Sequence, residues 1–154
     1  MQKKIGLLLG SGVSIPSHIP NTACITKNVL SGKGVTRHTD GVFYFGDKRP
    51  HPYESEKVKK AIRLLNKLYS YIKNYFLQNF KKEPNYEDLY YACWQICHHM
   101  FRNYENPLIE NFIKQLSQAG DINQTDLKDT SCMALLYIED LVWQLLKKPA
   151  FIFN

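Results

Sequence analysis

Gly10-Ser11-Gly12 stands at the end of the apolar run Ile5-Gly6-Leu7-Leu8-Leu9, and Val13-Ser14-Ile15-Pro16-Ser17-His18-Ile19-Pro20 follows it. Residue types in that order suit a buried strand that ends on a phosphate. Glycines let the backbone turn tightly and approach an anion, and a following helix points its N–H groups and positive dipole end at the same place. Ser14 can donate to that phosphate or cap the helix, and the two roles are compatible. A strand-to-helix turn that binds nothing would share this composition, but the order of elements makes a nucleotide the leading ligand expectation. A second group is Cys93, Cys97, His98 and His99. Cys93 and Cys97 are four apart and share a helix face. A tetrahedral zinc would need further ligands, and no Cys-x-x-Cys or His-x-x-x-His pair supplies them, so no metal is expected. A third is Arg37 with His38, which could form a flap over a nucleotide with Arg37 on a phosphate. The plainer reading is an exposed hairpin with a solvated arginine.

The elements that must position these groups follow from punctuation and periodicity. The segment 1–30 reads as strand, glycine loop and first helix, with Asn21 or Thr22 as cap and Ser31-Gly32 as stop. Residues 32–53 form a glycine-rich hairpin loop. In it Val35-Thr36-Arg37-His38 and Val42-Phe43-Tyr44-Phe45 flank Thr39-Asp40-Gly41, an Asp-Gly hairpin signal. Residues 54–148 are helical. The longest helix spans about 54–82, with Val58, Ile62, Leu65, Tyr69, Ile72 and Phe76 on one face, and Pro84 stops it. Asn85-Tyr86-Glu87-Asp88 opens the next, with Leu89, Cys93, Ile96 and Met100 as its stripe. Pro107 suits the first turn of a helix over 108–118, which Gly120 ends. A last helix over about 126–148 turns Met133, Leu136, Leu141, Leu145 and their neighbours inward. Phe151-Ile152-Phe153 could begin a strand, but the sequence stops at Asn154. One parallel-type strand needs partners reached through crossover helices. The 154 residues are therefore expected to be the N-terminal portion of a larger α/β domain.

Composition bounds the function classes. The chain is 44% hydrophobic, with ten Tyr and eight Phe, as in a globular protein with a core. The net charge of +6 and pI near 9.1 suit an anionic partner. Lys57, Lys59, Lys60, Arg63 and Lys67 nevertheless read as the wet side of an amphipathic helix, which makes nucleic acid an unlikely partner. Four irregularly spaced cysteines, Cys24, Cys93, Cys97 and Cys132, suit reduced thiols of a cytoplasmic protein. Lys3-Lys4 before Ile5 to Leu9 imitates a signal peptide, but the run is short and broken, and no stretch reaches the roughly 18 apolar residues of a membrane span.

Leu8-Leu9-Gly10-Ser11-Gly12-Val13-Ser14-Ile15-Pro16-Ser17-His18-Ile19-Pro20 resembles the glycine loop of the sirtuin-like (silent-information-regulator-like) NAD-binding family. That loop reads Gly-Ala-Gly-x-Ser, a small residue, then Gly-Ile/Leu-Pro. Val29-Leu30-Ser31-Gly32-Lys33-Gly34-Val35, Arg37-His38-Thr39-Asp40-Gly41, Asn85-Tyr86-Glu87-Asp88-Leu89-Tyr90-Tyr91 and Asn106-Pro107-Leu108-Ile109 are similar to a bacterial branch of it. The resemblance implies an incomplete Rossmann-like NAD-binding domain, α/β in class but helix-dominated. It places the backbone amides of Gly10, Ser11 and Gly12 against the diphosphate and Ser14 beside it. Ile19 and Pro20 fall near the nicotinamide ribose. Bacterial members of the branch are mostly NAD hydrolases of anti-phage defence, and others deacylate lysine.

The departures from that pattern are specific. Ser11 replaces the usual alanine, and His18 a glycine. Asn21-Thr22-Ala23 stands where deacylases carry Asp-Phe-Arg, and their Cys-x-x-Cys zinc module has no counterpart. The family's catalytic asparagine, in a Thr-x-Asn-x-Asp-like segment, and its later histidine find no match in the 154 residues. The expected function is thus the N-terminal segment of a domain that, complete, cleaves NAD to nicotinamide and ADP-ribose, with NAD or ADP-ribose as ligand. The alternative is a non-enzymatic helical interaction or regulatory module whose apolar strand edge pairs with a second copy or with a partner chain that completes the sheet.

Overall fold

A computed structural model describes residues 20–46, 55–102, 106–118 and 124–147. Five helices and one hairpin make up this part: α1 (Thr22–Ser31), β1 (Val35–Arg37), β2 (Phe43–Phe45), α2 (Ser55–Phe80), α3 (Tyr86–Arg102), α4 (Pro107–Gln118) and α5 (Gln124–Lys147). Helix dominates, as the periodicity predicts. The expected parallel-type strand over Ile5 to Leu9 lies outside the described residues. The sheet among the described residues is antiparallel, pairing Val35 with Phe45, Thr36 with Tyr44 and Arg37 with Phe43. A five-residue connection allows no other sense, because a parallel pair needs a crossover of a dozen residues or more. A Rossmann-type parallel pair is therefore not among these strands.

The starts of α1, α3 and α4 each carry a cap. The Asn21 side chain accepts from the Cys24 N–H at 2.9 Å. At α3, Asn85 Oδ1 accepts from the Glu87 and Asp88 amides, and Asp88 Oδ2 accepts in return from the Asn85 amide at 2.8 Å. This is a reciprocal capping box. The Tyr86 amide donates to the Thr26 hydroxyl at 3.0 Å, so a residue of α1 completes the start of α3. Asn106 caps α4 by accepting from the Leu108 amide, with Pro107 in the first turn.

α5 runs through the middle of the molecule and packs on α2, α3 and β2. Val29, Phe43, Leu64, Leu65, Leu68, Leu89, Ile96, Leu127, Tyr137 and Leu141 are fully buried between these elements. Two faces differ from the periodic reading. The buried side of α2 is centred on Val58, Ala61, Leu64, Leu65 and Leu68, with Ile62, Tyr69 and Ile72 at its margin. On α5 the inward residues are Leu127, Thr130, Ser131, Ala134, Tyr137, Ile138 and Leu141. Leu136, expected inward, is exposed, while Met133 and Leu145 are half-buried. The Cα positions of α5 carry apolar side chains almost all round, so a stripe drawn through leucines alone rotates the helix away from its true face.

β2 is an edge strand whose outer edge is closed by a helix. The Phe43 amide donates to Asp140 Oδ2 and the Phe45 amide donates to Gln144 Oε1, both at 2.9 Å. Gln144 Nε2 in turn donates to the Phe43 carbonyl. One side-chain amide thus bonds two backbone groups as a peptide unit of a third strand would. Phe43 sits beneath, its ring edge-on to Tyr137 at 5.3 Å between centroids.

Candidate functional site

α1 is the first described helix, and Pro20 leads into it. The helix is fixed at both ends. Asn21 caps the start, directly after the half-buried Pro20. At the other end the last carbonyls lack intrahelical partners, and side chains from distant elements take them. The Tyr137 hydroxyl donates to the Val29 carbonyl at 2.8 Å. Asn66 Nδ2 donates to the Leu30 carbonyl at 2.9 Å and to the Ile62 carbonyl of its own helix. Gly32 then turns the chain with φ of 57° and returns its amide to the Asn28 carbonyl. Burial raises the Tyr137 phenol above its ordinary range and keeps it a donor.

A cleft of about 660 Å³ runs along this helix. Thr22, Ala23, Thr26 and Lys27 of α1 form one wall. Asn66 and Tyr69 of α2 and the connection Glu83-Pro84-Asn85 form the other. Glu83 is held by Lys73 at 2.7 Å and by the Tyr69 hydroxyl at 2.8 Å. The hydrogen bond from Lys73, followed by that from Tyr69, keeps its carboxyl below the usual carboxylate range. Partial burial, then the bond to Glu83, raises the Tyr69 phenol. Lys27 is exposed on the α1 wall and brings positive charge to it. The volume falls in the range of small-ligand sites, about 300–1,000 Å³, and the walls carry hydroxyls, side-chain amides, the Lys27 ammonium and the Glu83 carboxylate.

Of the residues that sequence pattern and resemblance assign to the ligand, Gly10, Ser11, Gly12, Ser14 and Ile19 lie outside the described residues. Pro20 lies immediately before the α1 cap. Lys27, Asn66, Tyr69 and Glu83 carry no site signal in the sequence. Asn66 reads as one polar position in a basic helix face, and Glu83-Pro84 reads only as a stop.

The other two groups part company. Arg37 lies over the Phe43 ring, its guanidinium carbon 5.5 Å from the centroid. His38 is buried and stacks on Tyr44 at 4.3 Å. Asp40 holds the turn by accepting from the Val42 amide and the Tyr44 hydroxyl, contacts that lower its carboxyl pKa in that order. With β2 tied to α5, this hairpin is a fixed part of the fold, and Arg37 packs on its own sheet. In the cysteine–histidine group, Cys93 and Cys97 are buried between α3 and α5, whereas His98 stacks on Trp94 at 3.7 Å and its Nδ1 donates to the Trp94 carbonyl. Among the described residues no three His, Cys, Asp or Glu side chains are placed to hold a metal ion. No described helix is long and apolar enough to cross a membrane. No family model, no curated protein and no solved structure matches this chain.

Proposed function

We propose that this chain binds the diphosphate of NAD or ADP-ribose as the N-terminal segment of a sirtuin-like domain. Gly10, Ser11 and Gly12 cradle the phosphates, Ser14 donates beside them, and Ile19 and Pro20 border the ribose. The observation that supports this most is one of continuity. The loop that resembles a dinucleotide cradle leads, through Pro20, into a capped helix that walls a nucleotide-sized cleft. In the complete domain the chemistry is cleavage of the glycosidic C–N bond: nicotinamide leaves as the ribose gains cationic character, with an asparagine orienting water and a histidine moving a proton. Neither of those residues has a match in these 154 residues, so the chain alone is expected to bind without releasing nicotinamide.

The test is a thermal shift with NAD and with ADP-ribose on the parent chain and on Gly12→Glu. A carboxylate at that turn opposes a diphosphate, so the parent is stabilised and the variant is not. An unshifted parent rejects the reading.

A second reading, the helical interaction module, draws on one face of α5. Leu136, Trp143 and Leu146 are 50%, 61% and 45% exposed and recur at helical spacing. A concentration-dependent mass by light scattering that Trp143→Ser abolishes, without any nucleotide shift, would favour it.

A further inference from the structure

We infer that Cys97 and Cys132 are a dithiol modification site, which a peroxide converts to an intramolecular disulfide joining α3 to α5. The two sulfurs lie 3.0 Å apart, 35 residues distant in sequence, on helices that pack directly against each other. A disulfide bond is ~2.05 Å long, so the sulfurs have roughly 1 Å left to close. A displacement of that size is within side-chain rotation. The pair is also asymmetric in access. Cys132 is half-exposed and Cys97 is buried, so an oxidant from solvent meets Cys132 first and the second thiol waits within reach.

The steps balance. Cys132 as thiolate attacks one peroxide oxygen, the O–O bond breaks, and the product is a sulfenic acid with water once protons are counted. Cys97 Sγ then attacks the Cys132 sulfur, the S–O bond breaks, and a second water leaves with the Cys97 proton. Two thiols lose two electrons and two protons, and one peroxide is reduced to two waters. Burial, first among the causes, raises the Cys97 thiol pKa, with the hydrogen bond to Cys132 next. Its low thiolate fraction makes the second step the slow one. Cys93, near enough to feel the charge of Cys132, is buried, and Cys24 is exposed on α1.

The experiment treats the whole folded chain with hydrogen peroxide, quenches it, unfolds it, alkylates it and maps it by mass spectrometry. A digest peptide linking Cys97 to Cys132 is expected, with Cys93 still alkylatable and the linkage reversed by a thiol reductant. The oxidised chain should melt about 5–10 °C higher, because the cross-link closes a long loop in the unfolded state. Cys132→Ser removes both the cross-link and the shift, and Cys97→Ala, should it fold, does the same. Mapping is done on the parent, so a variant that fails to fold does not decide the matter. A Cys132 that proceeds to sulfinic acid, a linkage to Cys93 or Cys24, or four thiols unchanged after treatment would each overturn the assignment.

Discussion

Replacing Gly32 by alanine should destabilise the protein by about 2–5 kcal/mol, the sum of two separable effects. Gly32 has φ of 57°, a left-handed conformation that costs an L-residue with a Cβ about 1–2 kcal/mol. A methyl group built there also overlaps the Ile62 side chain and comes within 3.2 Å of the Tyr137 hydroxyl. Overpacking of this kind adds roughly 1–3 kcal/mol. Gly34, two residues on, provides the control. Its φ is 77°, yet nothing lies within 4 Å of a Cβ placed on it. Gly34→Ala therefore carries the backbone penalty alone. Urea titrations of parent, Gly32→Ala and Gly34→Ala should give midpoints in the order parent, Gly34→Ala, Gly32→Ala with one common slope. The gap between the two variants measures the collision with Ile62 and Tyr137. In a chain of this size the larger loss lowers the melting temperature by about 5–15 °C. Equal losses in the two variants would refute the packing described at the end of α1, and a loss below about 1 kcal/mol in both would refute the left-handed turn.

Gln144→Ala leaves the Phe43 carbonyl and the Phe45 amide without their partner and should cost about 1–3 kcal/mol. Hydrogen exchange over residues 43–45 should accelerate before that of α5, and unchanged exchange there would mean that the helix does not close the sheet edge. Stability should also fall in alkali. Burial pushes the Cys93 thiol up to about 12 from an ordinary value of 9.0. The unfolded chain therefore releases this proton near pH 9 and the folded chain does not. The contribution is intact below about 9 and lost as pH rises toward 12, with Tyr137, also raised by burial, adding to the decline above about 10. Urea midpoints measured from neutral pH upward should drop more steeply in the parent than in Cys93→Ala, and parallel curves would contradict this origin.

Local chemistry was legible in the sequence, and long-range placement was not. Asn21 or Thr22, Gly32, the opening Asn85 to Asp88, and Pro107 mark helix ends within a few residues of themselves; the structure caps α1 with Asn21 and adds Asn106 as the cap before Pro107. The hairpin was readable from Asp40-Gly41 between two β-like runs. The face of α5 was not, because its buried side includes Thr130, Ser131, Ala134 and Tyr137 while Leu136 faces out. Nor could Asp140 and Gln144 be read as strand partners, since they lie about a hundred residues from the groups they bind. The cleft was hidden for the same reason. Lys27, Asn66 and Glu83 come from three separate stretches, and only tertiary packing brings them to one groove. The glycine loop itself falls outside the described residues.

The clamped end of α1 bears on the nucleotide proposal in a way that separates binding from fold. A ligand that binds the folded chain alone stabilises it by an amount set by its concentration over Kd, about 2.7 kcal/mol at a hundredfold excess. That corresponds to roughly 5–10 °C here. Tyr137→Phe removes the donor to the Val29 carbonyl and should lower the starting melting temperature. It touches none of the residues assigned to the phosphates. If the loop holds the ligand on a helix that remains folded, the Tyr137→Phe protein melts earlier but gains nearly the parent's increment with NAD. Gly12→Glu melts near the parent and gains nothing. A lost increment in both would mean that the shift reports general stability rather than the loop. A retained increment in both would move the ligand away from Gly12, toward Lys27 and the cleft wall, where Lys27→Glu would then be the variant that abolishes it.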